Sequence, residues 1–308
     1  MSRGIMRKHY REHRFLRSDH RPDFSHIIRE REGEIAMIAS KPVVTARKTT
    51  PIINGVKTMF ERGFRRLPIV DSRMRLCGIV TAMDIINYFG GGNYYKIITE
   101  KHNGSFYSAL YEPMESIMTK DVVSAYIGER ISSVLEKMAK NNVGGVPVIT
   151  KDGRVYGIVT ERDILNHISD VRIDRKISEI MTRNVITISQ DATIIDAERL
   201  MIKFGFRRLP VVEGGKVVGI IVAMDIIRYF GSKEVFNYIV EGKIQEVLSV
   251  KVSKIMAQDL VIINPKSTIT DAVKLMNKKN VGALLVTKRG KLEGIVTEKD
   301  IVYALAFE

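Results

Sequence analysis

The sequence predicts an α/β fold: four β-α-β-β-α repeats in two paired modules, preceded by a basic N-terminal arm. Three observations carry this reading. The first is a nine-residue element that occurs four times, at Gly78–Ile86, Gly157–Leu165, Gly219–Ile227 and Gly294–Val302. Each copy is a Gly, a short apolar run, and an x-x-Asp that opens an apolar helix, and recurrence of this kind defines a repeat architecture. The second is the strand just upstream. Gly63-Phe64-Arg65-Arg66-Leu67-Pro68 matches Gly205-Phe206-Arg207-Arg208-Leu209-Pro210, whereas the other two copies have Asn142-Val143-Gly144-Gly145-Val146-Pro147 and Asn280-Val281-Gly282-Ala283-Leu284-Leu285. The third is spacing: Asp84 to Asp225 is 141 positions and Asp163 to Asp300 is 137. A pair of unlike repeats was therefore duplicated as a pair.

A chain of 308 residues has room for two domains of roughly 150 residues each. The expected boundaries are an arm at 1–35, a first pair at 36–170 (repeats 36–90 and 113–169) and a second pair at 171–308 (repeats 176–231 and 251–308).

In repeat one, Pro42-Val43-Val44-Thr45 reads as a short strand and Pro51 to Arg62 as a helix burying Ile52, Val56 and Met59. Strands Leu67 to Val70 and Leu76 to Val80 follow, then a second helix from Asp84 to Phe89 that ends at Gly90-Gly91-Gly92. The connector 93–112 and its counterpart 232–250 read as helical spacers whose aromatic residues, Tyr94 and Tyr95 among them, pack into the core. Repeat two has a strand at Val122-Val123 and a helix striped by Ile131, Val134, Leu135 and Met138. Its hairpin turns at Lys151-Asp152-Gly153, because Asp-Gly accepts positive φ. The later helices carry Ile194, Ala197, Leu200 and Met201, and Ile269, Val273 and Met276; Glu213-Gly214-Gly215 and Arg289-Gly290 make the turns.

Apolar content of 45% and charged content of 27% are those of an ordinary globular protein. No apolar stretch approaches the roughly 18 residues needed to span a bilayer, and no signal-peptide core follows Met1. Cys77 is the only cysteine, so a cytoplasmic protein with neither disulfides nor membrane contact is expected. The net charge is +14, with an excess of +3 over residues 1–35, +6 over 36–112 and +4 over 251–308. Such clustering fits a polyanion-binding surface, or equally a generally lysine-rich surface. The arm carries Arg3, Arg7, Lys8, Arg11, Arg14, Arg17 and Arg21 with interleaved Tyr10 and Phe15, a composition that orders against RNA or a ribonucleoprotein such as the ribosome. A protein partner and self-association as a dimer are the other readings. His9 and His13 lie one helical turn apart without a third ligand, so no metal site is expected.

The fourfold Gly-apolar-apolar-Thr-x-x-Asp element with its Val-Pro-Val or Leu-Pro-Val strand resembles the CBS domain family over about residues 36–308. The resemblance implies two repeats per module with two clefts. It also implies that two modules close into a flat disc, as in the gamma subunit of AMP-activated protein kinase. The implied ligand is an adenine nucleotide (AMP, ADP or ATP), with S-adenosylmethionine second.

The residues themselves fit such a ligand. A carboxylate accepts from both vicinal ribose hydroxyls, a role open to Asp84, Asp163, Asp225 and Asp300, with Thr81, Thr160 and Thr297 adding hydroxyls at a helix N-terminus. The same spacing also makes a helix cap, and a single copy would read as one. Four copies beside arginine pairs favour a ligand site. The resemblance places phosphate at Arg65, Arg66, Arg207 and Arg208, with Arg162 and Lys299 as further candidates. It places adenine against the backbone of Val43, Val44, Val122, Val123, Val185, Ile186, Val261 and Ile262. Val222 stands where a hydroxyl is expected, so the Asp225 cleft should be weak or empty. No Ser-His-Asp arrangement, phosphate-cradling loop or paired metal ligands occur, and the chain reads as a non-catalytic regulator of translation or dormancy, or as the regulatory subunit of a protein partner.

Overall fold

The computed structural model describes residues 33–167, 169 and 172–306; the arm residues Arg3, Arg7, Lys8, Arg11, Arg14, Arg17 and Arg21 lie outside them. Repeat one holds α1 (Ile52–Arg62), β1 (Arg66–Val70), β2 (Leu76–Thr81) and α2 (Ala82–Phe89). Repeat two holds β3 (Ala125–Tyr126), α3 (Ile131–Lys140), β4 (Gly145–Ile149), β5 (Val155–Thr160) and α4 (Glu161–His167). Repeat three holds β6 (Ile188–Ser189), α5 (Ile194–Phe204), β7 (Arg208–Glu213), β8 (Lys216–Val222) and α6 (Ala223–Gly231). Repeat four holds β9 (Ile262–Ile263), α7 (Ile269–Lys279), β10 (Ala283–Lys288), β11 (Lys291–Thr297) and α8 (Glu298–Ala306).

In each repeat an antiparallel hairpin follows the first helix. In repeats two to four a short strand runs parallel to the hairpin's first strand. In repeat one that strand shrinks to a single bridge between Ala46 and Ile69. The short strands expected at Pro42-Val43-Val44-Thr45 and Val122-Val123 thus carry no ladder, and pairing starts only further along each segment. The register follows burial, because Ala125, Ile188 and Ile263 are the side chains that reach the core.

Packing divides the chain into two compact units, and neither is a sequential half. The odd unit takes Val44–Val122 and Asn184–Leu260, and so contains repeats one and three. The even unit takes Val123–Arg183, the described residues up to Val43 and those from Val261 onward, and so contains repeats two and four. In the odd core Phe89 stacks on Phe230 at 4.3 Å between centroids, with Phe106 of the connector beside both. The two connectors join there through an antiparallel bridge, Phe106 N–H donating to Gly242 O and Ile244 N–H to Gly104 O. Tyr88 and Tyr229, at matching places on α2 and α6, donate to Ala109 O and Val247 O.

The segment leading into each repeat does not pack on that repeat. Thr119 pairs with Ile79 of repeat one, Ser40 with Ile158 of repeat two, Thr182 with Ile295 of repeat four and Ala257 with Ile220 of repeat three. The recurrent Gly at the head of the nine-residue element permits this crossing. A Cβ on Gly294 would stand 2.8 Å from both Met181 Sδ and Thr182 O, and one on Gly78 2.6 Å from Met118 Sδ.

One buried position breaks the helix pattern. Glu198 of α5 is fully buried and both its carboxylate oxygens lack a hydrogen-bond partner. It occupies the stripe position that the sequence assigned by apolarity, while Leu200 is only half-buried. Glu198 packs on Gly90 at the end of α2; at the matching place in repeat one, Val56 packs on Gly231 at the end of α6. Burial pushes the Glu198 acid well above its ordinary value of 4.5.

Two outcomes are expected. Gly294→Ala loses about 1–3 kcal/mol through the backbone clash at Thr182, whereas Gly128→Ala, with open space at its Cβ, stays within about 0.5 kcal/mol; denaturant titration measures both. For Glu198, a raised folded pKa opposes folding once the unfolded carboxyl ionises. Glu198→Val therefore gains stability over the native chain as pH rises above the ordinary 4.5, and the pH-dependent part of the gap levels off once the buried acid itself ionises and is absent at lower pH; melting curves across pH measure it.

Candidate functional site

Each second helix begins with a residue whose backbone N–H is accepted by the Asp three positions on. Thr81 N–H donates to Asp84 Oδ2 at 2.7 Å, Thr160 N–H to Asp163 Oδ2 at 2.8 Å, Val222 N–H to Asp225 Oδ2 at 2.8 Å and Thr297 N–H to Asp300 Oδ2 at 2.8 Å. Three of the four add a side-chain bond to the same oxygen: Thr81 Oγ1 at 2.7 Å, Thr160 Oγ1 at 2.6 Å and Thr297 Oγ1 at 2.7 Å. The Asp N–H returns to the Thr hydroxyl, which completes a capping box. The cap reading of the sequence is therefore realised, and it uses only one carboxylate oxygen.

The other carboxylate oxygen, Oδ1, takes no part in the cap. Asp84 and Asp300 make no further side-chain hydrogen bond among the described residues. At Asp163, Oδ1 accepts from Ser40 Oγ at 2.9 Å. At Asp225, Oδ1 faces Arg228 Nη1 at 3.4 Å. Burial pushes Asp84, Asp225 and Asp300 up, against the hydrogen bonds from the residues they cap.

Ser40 shows what the crossing segments bring. Thr119 and Thr182 hold the same register beside Ile79 and Ile295, and Ala257 holds it beside Ile220. Three corners thus have a hydroxyl-bearing residue on the crossing segment, and the Asp225 corner has neither that nor a capping threonine. The sequence reading found Val222 but missed Ala257. The recurrence of Ile117-Met118-Thr119, Ile180-Met181-Thr182 and Ile255-Met256-Ala257 carried the signal.

The basic candidates fall into two groups. Arg66 lies cross-strand from Thr81 and Arg208 from Val222, and the carbonyls of Arg65 and Arg207 accept from Ala82 N–H and Ala223 N–H. All four arginines therefore stand at corners of the odd unit. In the even unit Arg162 Nε donates to Glu298 Oε1 at 2.5 Å and its Nη1 to Asn280 Oδ1 at 2.6 Å, while Lys299 Nζ donates to Asn142 Oδ1. Glu161, Glu298, Asn142 and Asn280 were not anticipated. Of the adenine-edge residues, Val44, Val122, Val185 and Ile186 belong to the odd unit and Val43, Val123, Val261 and Ile262 to the even one. Val44 and Ile186 pack on the odd core, and Val123 and Val261 on the even core. Among the described residues no group of three His, Cys, Asp or Glu stands close enough to hold a metal, and no helix is long and apolar enough to cross a membrane.

The family model described as CBS domain matches residues 33–91, 114–170, 177–232 and 252–307. The uncharacterized protein MJ1225 of Methanocaldococcus jannaschii is 35% identical over 267 residues, 85% of this chain and 95% of its own. The crystal structure of MJ1225, proposed to be an archaeal homologue of g-AMPK, matches with a TM-score of 0.84 at 34% identity, covering 88% of this chain and 99% of that one. A 33.4 kDa protein in the ribosomal RNA operon of Thermofilum pendens is 29% identical over 275 residues, 89% of this chain and 92% of its own. An uncharacterized conserved protein from Pyrococcus horikoshii shares the fold, with a TM-score of 0.56 at 19% identity over 88% of this chain and 99% of that one.

Thr297→Val reproduces the Val222 corner in repeat four. It removes the 2.7 Å bond to Asp300 Oδ2 and the acceptor for the helix N–H, and a loss of about 1 kcal/mol in denaturant titration is expected.

Proposed function

Because this chain belongs to the CBS domain family, we propose that it is a non-catalytic regulatory protein that binds adenine nucleotide at its threonine–aspartate corners. One observation carries the reading: each capping Asp spends Oδ2 on its own helix, which fixes the carboxylate and keeps Oδ1 out of the cap. A cap alone is satisfied by one oxygen. At Asp84 and Asp300 two ribose hydroxyls match the two lone pairs of Oδ1, whereas at Asp163 Ser40 already donates to one of them. The likeness to MJ1225 supports AMP, ADP or ATP as the ligand, with S-adenosylmethionine second. In this reading the Asp225 corner is the weakest of the four.

Nucleotide binding regulates the engagement of a macromolecule, for which the ligand must favour one form by roughly 1–3 kcal/mol of coupling. RNA or a ribonucleoprotein in the cytoplasm is the partner that residues 1–33 and the net charge of +14 favour. A protein target is the alternative, which follows from the g-AMPK likeness of MJ1225.

Calorimetry with AMP and ATP tests the nucleotide half: Asp84→Ala and Asp163→Ala each weaken affinity at least tenfold, about 1.4 kcal/mol. Unchanged affinity in both refutes the ribose assignment. For the partner, RNA affinity that falls steeply between about 50 and 200 mM salt, and disappears when residues 1–33 are deleted, supports RNA; capture of one enzyme at high salt supports the protein target.

A further inference from the structure

One corner holds a hydrogen bond that the other three lack. Ser40 Oγ donates to Asp163 Oδ1 at 2.9 Å. Thr119 and Thr182 stand at the same register beside Ile79 and Ile295. Yet among the described residues Asp84 and Asp300 receive side-chain hydrogen bonds only from Thr81 and Thr297. At the fourth corner Ala257 carries no hydroxyl, and Asp225 Oδ1 faces Arg228 of its own helix.

The segment that carries Ser40 is fixed on both sides of it, and all of its partners lie in the even unit. Ser40 N–H donates to Ile158 O at 2.9 Å, and Ile158 N–H to Ser40 O at 3.3 Å. One residue earlier, buried Ala39 lies against Gly157, where an added Cβ would stand 2.8 Å from the Ala39 Cβ. One residue later, Lys41 Nζ donates to Tyr156 OH at 2.7 Å and stands over the ring. Further back, a short helix at Glu34–Ile38 buries Ile35 completely. Glu34 Oε1 lies 3.0 Å from His167 Nε2, at the far end of α4. Residues 34–41 are thus tied to both ends of the helix that carries Asp163, and the Ser40 hydroxyl reaches its carboxylate from a fixed main chain.

This contact bears on ligand binding. Oδ2 of Asp163 is taken by the cap, so Ser40 holds one of the lone pairs that a ribose needs on Oδ1. Ser40 is exposed, and an entering ribose displaces its hydroxyl to water. Exchanging one hydrogen bond for another in this way weakens binding by about three- to tenfold relative to a corner with an open Oδ1. We propose that residues 34–41 form a strap that holds the Asp163 corner partly closed to adenine nucleotide, with Ser40 as the residue that sets its affinity. This rests on the ribose reading above and adds a regulation of one of its sites.

Titration calorimetry with AMP on the full chain tests it, in an Asp84→Asn, Asp300→Asn background that leaves Asp163 as the main ribose carboxylate. There Ser40→Ala is expected to raise AMP affinity about three- to tenfold, and adding Asp163→Asn to abolish the gain. Should that background melt well below the native chain, the comparison is made in the native chain, where Ser40→Ala tightens AMP binding and Asp163→Asn removes the improvement. An unchanged affinity in Ser40→Ala overturns the proposal, because the bond then carries no weight. A weaker affinity also overturns it, because the hydroxyl then serves the ligand. Absence of AMP heat from the native chain, or AMP binding that Asp163→Asn and Asp84→Asn both leave intact, removes instead the ribose reading on which the strap depends.

Discussion

The crossing of two backbones at Gly78, Gly157, Gly219 and Gly294 organises each repeat. There the segment leading into one repeat lies against the outer hairpin strand of another, close enough that a methyl group would overlap it. Two hydrogen bonds hold each crossing, as where Thr182 and Ile295 exchange N–H and C=O at 2.9 Å. Three residues beyond each glycine the chain turns into a helix, so the crossing segment and the capped helix start are brought together by the same constraint. The corner is thus a by-product of how the strand is covered. At one corner a residue on the crossing segment reaches the Asp, where Ser40 donates to Asp163.

On that frame the two units diverge in chemistry and keep the same geometry. Repeats one and three place arginines on the strand and apolar residues at the helix start; repeats two and four place Glu161, Arg162, Glu298 and Lys299 at the helix start, where Arg162 pairs with Glu298. Duplication as a pair preserved this alternation, and packing then sorted like with like, repeats one and three into one unit and two and four into the other. The same sorting shows in the core, where Val56 and Glu198 hold matching places against Gly231 and Gly90. An apolar contact in one repeat is matched by a buried acid in the other, and among the described residues nothing donates to Glu198.

Much of this was legible in the chain. The repeats, their helices and the capped corners have strong local signatures, because a helix stripe, a Thr-x-x-Asp spacing and an Asp-Gly turn are each settled by a few neighbouring residues. The short leading strands were placed too early, since two valines in a row look like a strand whether or not a ladder partner stands beside them. Glu198 was missed for the opposite reason: a glutamate on a helix reads as solvated, and only the partner helix reveals its burial. The crossing segments were missed because their partners lie about 40 residues away at Thr119 and about 118 at Ser40, and no periodicity reports a contact at that distance. Ala257 and the Asn142–Lys299 and Asn280–Arg162 contacts fall in the same class.

The way the chain threads between its units bears on its synthesis. The odd unit draws on residues as late as Leu260, and the even unit combines the segment ending at Val43 with helix α8 near the end of the chain. Neither unit can close until more than four-fifths of the polypeptide has left the ribosome. Ile158 and Ile295 emerge after their covering segments at Ser40 and Thr182, whereas Ile79 and Ile220 wait for Thr119 and Ala257, 40 and 37 residues later. The strands of repeats one and three therefore spend the longest time with an uncovered edge during synthesis, the state in which chaperone capture and mispairing between neighbouring nascent chains are greatest.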